Sequence, residues 1–322
     1  MLVTGGAGYI GGFVTRALRR VGREVVVVDD LSAGRREAAG DAAIVQMDIR
    51  DRAGLGALMT ERRIDAVLHL AALKSVGESW LEPVRYLDVN VGGTIALLGA
   101  MADAGVATLI FSSSCSIYGD AAVLPVDESQ PAAPMNPYAQ TKWLAEQTIG
   151  LAATRGGVRY VALRYFNAAG AEADGSEGEP LEGAVNLVPV VMKVALGMSP
   201  SVVMYGTDYP TPDGTAIRDY VHVHDLADAH VRALDYLETG GASIALNLGT
   251  GVGSSVREIV DATERASGMP IPVTAAPRRD GDPAALWAAT GLAERTLGWS
   301  SSRGIDEIVA TAWAWHRRTT TG

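Results

Sequence analysis

The apolar residues of this chain fall in short solid runs, separated by longer stretches where they recur at helical spacing. Leu2-Val3-Thr4, Glu24 to Asp30, Ala43 to Met47, Asp65 to Ala71, Ala107 to Ser113 and Val158 to Tyr165 are such runs. Consecutive apolar positions of this length read as strands covered on both faces. Between them, the stretches running to about Val21, from Arg52 to Arg62, from roughly Pro83 to Ala104, and around Tyr138 and Lys142 read as helices. Strand and helix alternate without a break, which predicts an α/β fold with a doubly wound parallel sheet. After Arg164-Tyr165-Phe166-Asn167 the pattern changes. Ala168 to Gly183 is rich in Gly, Glu and Ala and reads as loop; a helix follows Asn186-Leu187-Val188-Pro189, and Ser201 to Gly206 is a strand. A Pro- and Asp-rich loop (Thr207 to Gly214), a helix (Asp225 to Glu238), a strand (Ala245 to Leu248), a helix (Ser254 to Ser267), the loop Arg278-Arg279-Asp280-Gly281-Asp282 and terminal helices complete the chain. We expect one domain over 1–166 and a smaller α/β domain over 167–322, with some elements interleaved and a cleft between them.

Gly5, Gly8 and Gly11 are spaced GxxGxxG, directly after the first strand and opening a helix. In that context a glycine loop lets backbone N–H groups approach a pyrophosphate. Asp29 ends the next strand 18 residues after Gly11, near the distance at which an acid meets the adenosine ribose. The order of strand, loop, helix, strand and acid predicts a Rossmann-type dinucleotide site. Asp29 favours NAD over NADP, because a carboxylate repels a 2′-phosphate; Arg35 and Arg36 close behind are the counter-signal.

The strand ending in Ser112-Ser113-Ser114 delivers hydroxyls to the carboxyl end of the sheet, where ligands bind in open α/β folds. Tyr138 and Lys142 are spaced i, i+4, on one face of a helix. A phenol with an ordinary pKa of about 10 is a poor base, and a neighbouring ammonium lowers that pKa. Serine, tyrosine and lysine together suit removal of a proton from a sugar hydroxyl while a nicotinamide takes the hydride. The bland alternatives are an incidental Tyr and Lys on a surface helix, and an ordinary turn at the glycines.

Composition narrows the classes. The chain has 322 residues, 48% hydrophobic and 20% charged, with a formal charge of -10, which argues against a general nucleic-acid binder. No apolar run approaches the roughly 18 residues of a membrane span, and the chain opens directly in a strand, so neither membrane attachment nor a signal segment is expected. Cys115 is the single cysteine, which excludes an internal disulfide and points to a reducing cytoplasm. Five scattered histidines show no ligand spacing for a metal. Only Lys74, Lys142 and Lys193 among the 27 basic residues are lysine, so a compact ammonium is used sparingly, where arginine would not serve. Lys193 reads as a solvated helix charge, and Cys115 as a small packed residue rather than a nucleophile.

The segments VTGGAGYIG, MDIRD, LKSVGES, NVGGT, FSSSCSIYGD, NPYAQTK, LRYFNAAGA, NLVP, YGTDYPTPDGTAIRDYVHVHDLADAH and APRRDGDPA occur in order from Leu2 to about Trp315. In these the chain resembles the extended short-chain dehydrogenase/reductase family, in its UDP-galactose 4-epimerase branch. The resemblance implies a tightly held NAD, a UDP-hexose inverted at C4, and a homodimer. It places Gly5, Gly8, Tyr9, Ile10 and Gly11 at the pyrophosphate, Asp29 at the ribose and Asp48 with Ile49 at the adenine, with Asp30 a further cofactor contact. Leu70, Ala71, Ala72, Lys74, Asn90, Ser112, Tyr138, Lys142 and Tyr165 become further cofactor contacts. Ser114, Tyr138 and Lys142 become the catalytic set. Lys74, Ser114, Tyr138, Phe166, Asn167, Asn186, Leu187, Val203, Tyr205, Arg218, Arg279 and Asp282 become the positions that hold the UDP-sugar. Arg218 and Arg279 offer donor forks to a diphosphate, and Tyr205 offers a flat face to uracil. Read without the resemblance, Arg279 is a surface partner of Asp280 or Asp282, and Tyr205 is ordinary packing.

The implied reaction takes the sugar 4-hydroxyl proton onto a Tyr138 phenolate, directly or through Ser114, and the hydride from C4 onto the nicotinamide. The 4-keto sugar then turns over and hydride returns to its other face. Leu286 stands where several family members carry a bulky tyrosine, which opens the alternative of a UDP-N-acetylhexosamine substrate. A UDP-glucuronate epimerase would need a cation for the C6 carboxylate, with Arg85, Arg164 and Lys74 the nearest candidates. A dehydratase or decarboxylase would place an acid just after the serine, where this chain has Cys115-Ser116-Ile117. A silent NAD-dependent sensor is the reading from outside enzymology.

Overall fold

A computed structural model describes residues 1–154, 156–279 and 281–321. Asp280, considered above as a partner of Arg279, lies outside the described residues. The frame is a sheet of seven parallel strands. β1 (Leu2–Thr4) is flanked on one side by β2 (Val26–Asp29) and β3 (Ala43–Gln46), and on the other by β4 (Ala66–His69), β5 (Thr108–Ser114) and β6 (Arg159–Tyr165). Successive residues feed opposite faces, as the pleat requires. Val3 and Val27 point into a core built with α1 (Tyr9–Arg20), whereas Leu2 and Val28 point into a core built with α2 (Arg52–Glu61) and others.

The stretch from Pro83 to Ala104, expected as one helix, is divided. α3 (Val76–Leu81) precedes it, capped by Ser75, whose hydroxyl accepts the Glu78 N–H at 3.2 Å. α4 (Pro83–Tyr86) then passes into a π-helical turn, Leu87–Gly92, before α5 (Gly93–Ala104) resumes and ends at Gly105 in the left-handed region, φ 71°. The wide turn aims Asn90 inward. Its amide holds Leu73 by both backbone groups, at 2.8 and 3.0 Å, and donates to Thr141 Oγ1 at 2.9 Å. π-turns inside helices are often placed at functional sites.

α6 (Pro137–Ala153) packs with α2 and α5 on that face of the sheet. β7 (Asn167–Ala169) opens the segment read as loop. It pairs with β10 (Tyr220–His222), which follows α7 (Leu187–Ala195), β8 (Val202–Tyr205) and β9 (Ile217–Arg218). α8 (Val223–Glu238) crosses to α1, and β11 (Ile244–Leu248) joins the large sheet beside β6. The second half of the chain thus supplies the edge strand of the first half's sheet. β12 (Ser254–Ser255) leads into α9 (Val256–Ser267), which starts with a capping box of Ser255 and Glu258. β13 (Val273–Ala276) pairs with β8, and β14 (Ala285–Leu286) with β9. α10 (Gly291–Leu297) and α11 (Ile305–Thr321) close the chain; α7, α9 and α11 share a separate core. No described helix is long and apolar enough to cross a membrane.

Candidate functional site

α6 begins at Asn136, whose side chain accepts the Ala139 N–H at 2.9 Å, with Pro137 in the first turn. This start puts Tyr138 at the positive end of the helix dipole. One face of α6 then meets the end of β5. Ser114 adjoins the Tyr138 phenol and acts to lower its pKa, Lys142 Nζ donates to the Ser112 carbonyl at 2.8 Å, and Ser113 Oγ donates to Glu146. Ser114 Oγ also accepts from Ser116 N (3.2 Å) and Ser116 Oγ (2.9 Å), so its own proton is the one left to give. Ser112 Oγ is hydrogen-bonded to the Tyr165 hydroxyl.

The electrostatics differ from the expectation in one respect. Burial dominates at Tyr138 and pushes its phenol up to about 12, against the lowering influence of Ser114. Lys142 does not overcome this, because it is itself buried, 4% exposed, and desolvation brings its ammonium down to about 8. The chain alone therefore holds Tyr138 as a neutral phenol. Burial likewise raises the Cys115 thiol to about 12, which disfavours its thiolate.

The glycine loop fits a dinucleotide. The first N–H groups of a helix have no partner within it, and α1 has neither a capping side chain nor an acid in its first turn. The loop packs too closely on the turn after β4 and on itself to admit side chains: a Cβ at Gly5 would lie 2.5 Å from Ala71 N, and one at Gly11 would lie 2.0 Å from Gly5 O. The side chains of Tyr9 and Ile10 serve the protein instead. Tyr9 donates to Gly170 O at 2.6 Å and Ile10 packs on the core, leaving their backbones for the loop. Asp29 accepts from Ala7 N (3.0 Å) and Leu31 N (2.9 Å) and retains free lone pairs; Gly34 beside it leaves room, since a Cβ there would stand 2.8 Å from Oδ1. Asp30 accepts from Ser32, and Asp48 is clamped by Arg50, which lowers its pKa. Ile49 is buried against Gly93. Leu70, Ala71 and Ala72 form the turn after β4, where the Leu70 N–H reaches Thr4 O at 3.0 Å. Arg35 is bound by Glu177 and Arg36 by Gln46, so neither stands free to meet a 2′-phosphate.

A buried polar chain unseen in the sequence links these parts. His69 sits between Thr4 Oγ1 (2.7 Å) and Thr94 Oγ1 (3.1 Å), and Thr94 donates to Asn90 O (2.6 Å). Asn90 reaches Thr141, which donates to Tyr138 O at 2.8 Å. Burial, then the Lys142 charge, brings His69 down to about 3, so it stays neutral.

In the second half, β8 alternates, with Val202 and Met204 inward and Val203 and Tyr205 outward. The Arg279 guanidinium lies 3.8 Å over the Tyr205 ring, which leaves the ring's other face. Arg218 faces Asp282 at 3.9 Å. Asp219, fully buried, accepts from Thr250 N, Gly251 N and Ala288 N, pinning the loop beside Arg218. Phe166 and Leu286 share a small apolar cluster with Ile117 and Tyr118, and the Asn167 N–H is held by Asp219 O. Leu187 packs on the separate core. Asn186 and Lys74, from opposite halves, converge on one buried acid that sequence reasoning missed: Glu179 Oε1 accepts from both, at 2.8 and 3.1 Å. The three cations considered for a C6 carboxylate all have protein partners: Arg85 has Glu78, Lys74 has Glu179, and Arg164 has buried Glu146. Among the described residues no His, Cys, Asp and Glu group could hold a metal.

A parallel sheet ending in a glycine cradle and a Ser/Tyr/Lys set defines a nicotinamide-dependent enzyme of sugar nucleotides. The chain belongs to the NAD dependent epimerase/dehydratase family, which it matches over residues 1–249. It is 45% identical to a UDP-glucose 4-epimerase of Rhizobium meliloti, across 100% of this chain and 98% of that one. Its backbone is similar to the UDP-glucose 4-epimerase of Stenotrophomonas maltophila solved with NAD and formylated UDP-arabinopyranose. There the TM-score is 0.97 and the identity 46%, over 99% and 98% of the two chains. The Bifidobacterium longum enzyme, solved with NAD+ and UDP, gives a TM-score of 0.93 at 39% identity, over 100% and 99%.

Proposed function

We propose that the chain interconverts UDP-glucose and UDP-galactose through a transient 4-keto sugar, with NAD as resident cofactor. The observation that carries this reading is the Ser114–Tyr138–Lys142 set registered along one helix face at the carboxyl end of the sheet. Gly5, Gly8, Tyr9, Ile10 and Gly11 would hold the cofactor's pyrophosphate through backbone N–H groups, Asp29 its ribose, and Asn90, Lys74 and Lys142 its nicotinamide end. When bound, NAD supplies the hydride acceptor and donor and, oxidised, a positive charge at the site. The Tyr138 phenolate, favoured by the Lys142 ammonium held against the Ser112 carbonyl and by the positive charge of oxidised NAD, would take the 4-hydroxyl proton directly or through Ser114 and give it back once the hydride has returned. Arg218, Arg279, Tyr205 and Asp282 anchor the nucleotide. Binding strength placed on UDP leaves the hexose free to turn. The first half (1–166) thus serves the cofactor and the second (167–322) the substrate. A homodimer fits the exposed Ile95 and Leu151 on α5 and α6, and the lone cysteine fits the cytoplasm; sedimentation and cell fractionation test these.

The deciding assay incubates purified protein, with no NAD added, with UDP-glucose, UDP-glucuronate and UDP-N-acetylglucosamine in parallel, and separates products by anion exchange. Equilibration of UDP-glucose with UDP-galactose is expected; conversion of UDP-glucuronate alone would overturn the substrate assignment. Rate against pH is expected to fall as pH rises through about 8, because the Lys142 ammonium is present below that value and lost above it.

Leu286 favours a second substrate. It is buried beside Phe166, and by the family resemblance several members carry a bulky tyrosine at this place, so the smaller side chain would leave more room at C2. Leu286→Tyr is expected to lower UDP-N-acetylglucosamine conversion relative to UDP-glucose by about ten-fold or more. An unchanged ratio of kcat/KM values would remove Leu286 from substrate choice.

A further inference from the structure

The face of α6 that carries Tyr138 and Lys142 has a third member. Glu146, 6% exposed, stands one further turn along and accepts from Ser113. Two consecutive serines of β5, Ser112 and Ser113, are thereby tied to helix positions i+4 and i+8, with Ser114 adjoining position i. Glu146 is itself fixed from β6: Arg164, 8% exposed, donates Nε to Oε1 at 3.0 Å and Nη2 to Oε2 at 2.7 Å. The fork continues through Arg164 Nη1 to the Tyr118 hydroxyl (2.9 Å), and from there to Asn247 Oδ1 of β11 (2.7 Å). Tyr118 closes the 3-10 turn Cys115–Tyr118 that Ser114 starts. A buried ion pair adds little net stability over an apolar replacement. What this one supplies is a fixed register and a fixed charge.

We infer that Glu146, clamped by Arg164 and Ser113, is a positioning residue for the proton-transfer set: it registers α6 on β5 and places a carboxylate one helical turn from Lys142. The inference rests on the function proposed above. Other groups do not duplicate it. Lys142 meets the Phe111 ring at 5.2 Å and the Ser112 carbonyl on β5, and neutral Tyr138 and Thr141 on its own helix. His69 on β4 is neutral, Tyr165 on β6 is bound to Ser112, and the π-turn presents the uncharged Asn90. Glu146 is the anion that favours the charged lysine, and Arg164 and Tyr160 on β6 face Glu146.

The test exploits the three lysines. Protein labelled with 13C at lysine Cε gives three signals, and Lys74→Arg and Lys193→Arg identify the Lys142 signal by elimination. In Glu146→Gln we expect Lys142 to titrate at lower pH than in wild type, and the alkaline limb of kcat to move with it. In Ser113→Ala, which removes one hydrogen bond and no charge, we expect an unchanged Lys142 titration and a kcat lower by about ten-fold. Glu146→Asp restores the Lys142 titration but not the rate. A wild-type Lys142 titration in folded Glu146→Gln overturns the inference, as does a wild-type rate in Ser113→Ala. If Glu146→Gln does not fold, Ser113→Ala and Glu146→Asp decide. Failure of the wild type to turn over any UDP-sugar would strike the proposed function, and the titration would still judge Glu146.

Discussion

Tyr138→Phe is expected to lower kcat for UDP-glucose by about a thousand-fold while KM stays within a few-fold of wild type. The phenol oxygen is the one group at the end of α6 that both meets Ser114 and can exchange a proton; phenylalanine keeps the ring and its packing and removes that oxygen. In the proposed site the nucleotide is held by residues of the other half, which is why KM is expected to be spared. Ser114→Ala should cost less, because the phenol can still meet the sugar directly. The variant's fold is checked by its NAD content and melting curve. If it turns over at even a tenth of the wild-type rate, Tyr138 is not the proton-transfer residue and the mechanism must be redrawn.

Gly11→Ala is expected to abolish retained NAD and to lower Tm by about 2–4 °C. The added methyl would sit 2.0 Å from Gly5 O and 2.8 Å from Gly5 C, both backbone atoms that cannot swing aside. α1 must then back away from the loop, and the N–H groups at its start move with it. Overpacking of this kind costs about 1–3 kcal/mol, which sets the scale of the melting shift. Gly77→Ala is the matched control: it lies in α3 with nothing near its would-be Cβ, and should leave both quantities as they were. Nucleotide released from the purified variant, quantified by chromatography, gives the answer; full NAD occupancy in Gly11→Ala would show that the loop does not grip the pyrophosphate.

The sequence carried the large sheet well because its strands are covered on both faces, and solid runs such as Val25 to Val28 have no other reading. The glycine loop and the Tyr138/Lys142 pair were equally legible, since each depends on spacing within one element. What was hidden depends on contacts between elements. β9, β12 and β14 are two residues each, and only their pairing makes them strands. α3 is too short for a period to show. Nothing in the sequence joins Glu146 to Arg164 until β6 and α6 pack together and bury both. The phenol of Tyr138 was expected to be depressed, because i, i+4 spacing reveals the lysine and not the desolvation that outweighs it.

The π-turn at Leu87–Gly92 holds one residue more than an α-helical path would need. Each residue of an α-helix turns the chain by about 100°. Deleting a single residue between Leu87 and Val89 would therefore give a straighter, locally more regular helix that swings Asn90 away from Leu73 and Thr141. A change that improves the helix as a helix would cut the link from the cofactor side to Tyr138. This segment should accept substitutions at its exposed positions far more readily than any change of length.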